Sequence, residues 1–178
     1  MRLVDRVLAY LPALLVPLAW TFTTLVGFTA LVSATALRVG LSVMCVLFAV
    51  FAAHPEMRGP ALGAWRAVIV AGLVATLAAL ATLVFGGEPG LLAGRFAVVV
   101  WLGAPAYGLV RTGRALANRR YDGFAAASLV GAALVASAAL PQVPPAAALA
   151  GLLVGGLGQT ASVADAVVRQ ARSQSRSA

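Results

Sequence analysis

The chain has 178 residues, of which 62% are apolar and only 10% charged, and its mean hydropathy is +0.98. A soluble domain carries about 25% charged and 45–50% apolar residues, so a soluble fold of this composition could not cover its own surface, and the excess apolar surface must face lipid. The formal net charge is +8 and all 13 basic residues are arginine, but they form no run interleaved with aromatics, which excludes a nucleic-acid-binding reading.

Apolar runs broken by polar segments predict six membrane spans. The first run, from Val7 to Ala53, is interrupted only by Arg38 and is long enough for two spans, 7–27 and 35–53, with a turn among Gly27, Thr29, Ser33 and Thr35. Its basic start, Arg2 and Arg6, resembles a secretory signal. The apolar stretch continues well past signal length, so a retained helix is expected. His54 to Pro60 breaks the chain before a third span, 65–85, and the Gly86-Gly87-Glu88-Pro89-Gly90 segment stops that one. The fourth span is expected at 91–110 and the fifth at 124–140. After Pro141-Gln142-Val143-Pro144-Pro145 the sixth is expected at 146–163, and 164–178 form a polar, basic tail.

The arginines orient these spans. Arg2 and Arg6 precede the first, Arg58 and Arg66 flank the second connection, and Arg111, Arg114, Arg119 and Arg120 fill the fourth. Arg169, Arg172 and Arg176 follow the last span, while the other connections carry none. Alternating basic connections fit six spans with both termini in the cytoplasm, because positive charge stays on that side. The expected fold is an all-α integral membrane protein, a single bundle of about six transmembrane helices over 1–163. Its expected location is a prokaryotic cell membrane, crossed several times.

Helices in lipid associate through close backbone approach, so small residues at every fourth position mark interfaces. Span five has Ser128, Ala132 and Ala136 on such a stripe, and span six has Ala147, Gly151 and Gly155. The two spans, joined by a proline-rich turn, are expected to pack as a tight hairpin.

Chemistry is harder to find. The absence of lysine removes retinal-type and pyridoxal Schiff bases and the Walker phosphate loop. One histidine, His54, and one cysteine, Cys45, cannot supply a zinc site, and Cys45 is expected as a small buried apolar residue. Neither His-Glu-x-x-His nor Gly-x-Ser-x-Gly occurs, and the five acids fall at span ends or in connections, so no catalytic constellation is present and no metal or cofactor is expected.

The remaining candidates are few. Arg38 and Arg95 lie inside apolar stretches, about one turn from the external face. Each can snorkel to the headgroups, or both can line an outward-facing vestibule for an anionic solute or lipid. Pro12 and Pro17 in span one and Pro105 in span four each remove a helical N–H, kink the helix and free a carbonyl; Trp20 and Trp101 add aromatic surface near these bends. Three plus three spans are inverted in topology, and interrupted helices at matching positions of such halves point to a transporter site. The expected function is a small transporter or solute-binding membrane protein. The alternative is a non-catalytic accessory or scaffold subunit of a larger membrane complex. Expected partners are membrane lipids and either other membrane subunits or further copies of the chain.

Overall fold

Six α-helices follow one another in the computed structural model, which describes residues 3–59, 62–85 and 89–176, the first helix as backbone alone up to residue 13. They are α1 (Leu3–Phe28), α2 (Ala34–Ala53), α3 (Gly63–Phe85), α4 (Pro89–Ala115), α5 (Arg120–Ser137) and α6 (Ala146–Arg176), with one 3-10 turn at Pro55–Arg58. No strand occurs among the described residues. Four helical segments are long and apolar enough to cross a membrane: Ala34–Ala53, Gly63–Phe85, Leu92–Ala115 and Ala146–Arg169. The 86–88 part of the third connection lies outside the described residues, and beyond it α4 opens on Pro89, a residue suited to a first helical turn. The basic segment expected as a tail is helical and continues α6 as far as Arg176.

Local chemistry sets the ends. Ser33, extended at φ −72° and ψ 157°, caps α2 by accepting a hydrogen bond from the Ala36 amide at 3.1 Å. Helix α4 ends in a Schellman arrangement: the Asn118 amide donates to the Gly113 carbonyl at 2.9 Å and the Ala117 amide to the Arg114 carbonyl at 3.3 Å. That motif needs a left-handed residue, and here it is Ala117, at φ 48°, rather than glycine.

Helix order in space departs from helix order in sequence. From α2 to α6 each helix packs on the next, but α1 packs on α6, and α4 also touches α6. The interfaces are inside-out by the standards of a soluble protein. Seven of the fourteen buried apolar residues among those described are alanines, including Ala75, Ala79 and Ala97, whereas Val39, Val43, Val46 and Val50 form an exposed stripe along α2. Water would drive the valines inward; lipid does not, and close helix contact then selects small residues for the interior. Where helices stand further apart, an aromatic ring fills the gap over a glycine: Phe22 over Gly40, Phe48 over Gly72, Trp65 over Gly108 and Trp20 over Gly156.

The α5–α6 contact is backbone to backbone. A Cβ at Gly131 would lie 2.6 Å from the Gly151 carbonyl oxygen and 2.8 Å from the Gly155 Cα. On α6 the expected positions Gly151 and Gly155 make this contact. On α5 it is made by Gly131 and, against Gly158, by Ala127. Ser128 and Ala132 are buried, with Ala132 turned toward Gly103 of α4, while Ala136 is exposed and Ala147 half-buried.

Candidate functional site: a polar cluster at the α4 kink

Pro105 sits inside α4. It has no N–H, so the carbonyl four residues earlier, that of Trp101, loses its helical partner, and the ring crowds the same turn. Trp101 lies about 18 Å along α4 from Pro89, near the middle of a segment long and apolar enough to cross a membrane. An unmet carbonyl at that depth is costly unless another group reaches it. That group is Gln159 of α6, whose side-chain Nε2 donates to the Trp101 carbonyl at 3.0 Å and to the Leu102 carbonyl at 3.3 Å.

The cluster continues in both directions. Trp20 Nε1 of α1 donates to Gln159 Oε1 at 3.3 Å, and Trp101 Nε1 donates to Thr76 Oγ1 of α3 at 3.1 Å. Thr76, fully buried, donates in turn to the Gly72 carbonyl at 2.6 Å. One hydrogen-bonded chain therefore joins α1, α6, α4 and α3, and every member is uncharged. Such an arrangement has no acid, base or nucleophile of matched reactivity; what it can do is recognise or exchange hydrogen bonds. Ser128 of α5 is also fully buried, and its hydroxyl has no hydrogen-bond partner.

The expected residues distribute unevenly around this cluster. Trp20, Trp101 and Pro105 belong to it. Pro17 lies three residues before Trp20, and its carbonyl accepts from the Thr21 hydroxyl at 2.9 Å; the Pro12 side chain lies outside the described residues. Arg38 and Arg95 are exposed near the first turns of α2 and α4 and do not join the cluster. Gln159 and Thr76 were not expected. The available signal for Gln159 was a lone amide inside an apolar span, beside a proline in another span that frees a carbonyl.

A second set of contacts ties the arginine-rich end together. Trp65 Nε1 donates to Thr112 Oγ1 at 3.0 Å, linking α3 to α4, and Arg66 Nε donates to the Ala52 carbonyl at 3.0 Å, closing the end of α2. Asp165 of α6 pairs with Arg169 at 2.6 Å, beside Tyr121 of α5. Cys45 is buried in α2, and among the described residues no three His, Cys, Asp or Glu side chains converge on a point that could hold a metal. No family model, curated protein or solved structure matches the chain.

Proposed function

We propose that this chain is a six-span protein of a prokaryotic cell membrane, with both ends in the cytoplasm. We further propose that it is of transporter or solute-binding type, with its site at the α4 kink. One observation supports the site above the others: the carbonyl that Pro105 frees is met by a side-chain amide from another helix. A helical backbone bond cannot be lent to a solute, but a side-chain bond can be exchanged for one. Interrupted helices near the bilayer midplane are where membrane carriers place such exchangeable groups. The cluster is neutral and offers both donors and acceptors, so the fitting ligand is a small uncharged solute with an amide or several hydroxyls. Arg38 and Arg95, exposed at the far ends of their helices, would influence an anion only at the entrance.

A second reading has its own support. Trp20, Gln159, Trp101 and Thr76 satisfy one another, so the cluster is complete without a ligand. This is what a non-catalytic accessory or scaffold subunit needs in order to hold its shape. Tryptophan fluorescence separates the two, because the protein has three tryptophans and two of them are in the cluster. In a Trp65→Phe background, a neutral amide or polyol that binds should change emission saturably, and Gln159→Met should abolish the change. If no such solute changes the emission of the folded protein or crosses reconstituted vesicles, the solute reading fails and the scaffold reading stands.

A further inference from the structure

The outward face of α4 has an order of its own. Phe96 and Val100, the latter half-buried against the cluster of Leu41, Ala75, Ala79 and Ala97, are followed toward the arginine-rich end by Tyr107, Arg111 and Arg114, all on one side of a 3.6-residue helix. Phe96 is 58% exposed and Tyr107 53%, and both arginines are exposed. The other sides of α4 are occupied. Gly108 and Thr112 meet Trp65 of α3, while Gly103 and Gly113 border Ala132 and Tyr121 of α5.

Arg111 and Arg114 are three residues apart, so two like charges are neighbours on one face, and this is unfavourable unless an anion lies between them. No described residue supplies that anion. Asp165 is engaged by Arg169, and the Asp122 carboxylate lies near Gly113, on the side of α4 turned to α5. Apolar side chains, then an aromatic ring, then a pair of guanidiniums repeat the order of an acyl chain, a glycerol interface and a phosphate. From Tyr107 to Arg114 the helix rises about 10.5 Å, which carries the face from the apolar zone into the headgroup zone.

We infer that Arg111 and Arg114 hold the phosphate of an anionic phospholipid whose acyl chain lies along the Phe96–Tyr107 side of α4. The planar guanidinium fork suits phosphate oxygens, and Phe96 and Tyr107, exposed on the same side, suit a lipid rather than a soluble anion. This site is separate from the α4 kink and stands whether or not the kink binds a solute; it needs only that the bundle be embedded in a membrane.

Native mass spectrometry of the full chain in mild detergent tests it, with phosphatidylglycerol and phosphatidylcholine of the same acyl chains as probes and inorganic phosphate as a third. The wild type should retain phosphatidylglycerol over phosphatidylcholine. Arg111→Gln combined with Arg114→Gln should lower that retention about tenfold, as expected for losing two charge-assisted contacts. Arg58→Gln, at another exposed arginine, should leave it unchanged. Equal retention of the two lipids, an undiminished preference in the double variant, an equal loss in Arg58→Gln, or full displacement by inorganic phosphate would each overturn the inference. Should the double glutamine variant not fold, the double lysine variant keeps the charge and loses the fork: reduced phosphatidylglycerol retention supports the site, and unchanged retention overturns it.

Discussion

Gln159→Met is the substitution from which the α4 kink can be measured. Methionine has nearly the same length and keeps the packing, but it removes three hydrogen bonds: two to the Trp101 and Leu102 carbonyls and one from Trp20. Side-chain bonds between membrane helices average about 0.6 kcal/mol and reach about 1.7, so the three together contribute about 2 kcal/mol. Pro105→Ala restores an amide that can bond the Trp101 carbonyl within α4. In that background the carbonyl no longer depends on Gln159, and Gln159→Met should cost about 1 kcal/mol less, the lower part of the penalty for an unmet buried acceptor. The assay is reversible unfolding in mixed micelles, followed by circular dichroism for the wild type, both single variants and the double variant. If the two single effects add to within about 0.3 kcal/mol, as they do for independent sites, Gln159 does not serve the carbonyl freed by Pro105 and the account of the cluster is wrong.

Three other outcomes are expected. Ala117→Gly should raise stability by about 1 kcal/mol in the same assay, because it relieves a left-handed alanine at the end of α4; a loss of stability would mean that the Schellman turn is not formed. Gly131→Leu should abolish folded protein, since even a Cβ would lie 2.6 Å from the Gly151 carbonyl oxygen, while Ala136→Leu on the exposed side of α5 should be nearly neutral; the reverse result would place the α5 interface on the stripe expected from sequence. For topology, Arg58→Cys should label only from the cytoplasmic side and Gln142→Cys only from outside, and labelling of both from one side would end the six-span proposal.

The six helices were legible because the apolar runs carry few charges and most of the breaks between them contain proline, glycine or arginine. The proline-rich turn at Pro141 to Pro145 also announced the α5–α6 hairpin, and Gly151 with Gly155 gave its contact positions on α6. The α5 partner was not legible. Alanine and glycine fill both candidate stripes of that helix, and only the rotation of α5 about its own axis distinguishes Gly131 from Ala136. Gln159 escaped for a related reason. A glutamine in an apolar span is unremarkable until the carbonyl it serves is known, and that carbonyl belongs to another helix 58 residues earlier in the chain. The packing of α1 on α6 likewise has no trace in local sequence, because the Trp20–Gly156 fit depends on two surfaces meeting across the whole fold.

Trp20 carries two jobs that the sequence keeps apart. Its ring fills the space over Gly156, where a Cβ would lie 3.0 Å from the indole, and its Nε1 holds Gln159. The docking of α1 and the state of the α4 kink therefore depend on the same side chain. Among the described residues of α1, Phe22 also packs over Gly40 of α2, while the Thr21, Thr23 and Thr24 hydroxyls bond back to carbonyls of α1 itself. A solute that displaced Gln159 from the kink would also change what Trp20 bonds, so occupancy at α4 would be felt first at α1. If the cluster is only a brace, Gln159→Met should loosen α1 while leaving the protein indifferent to every neutral solute. If it is a site, the wild type with solute and Gln159→Met without solute should both expose α1. The second outcome requires a ligand that competes for one amide, and so it ties the docking of α1 to the hydrogen-bonded chain at the α4 kink.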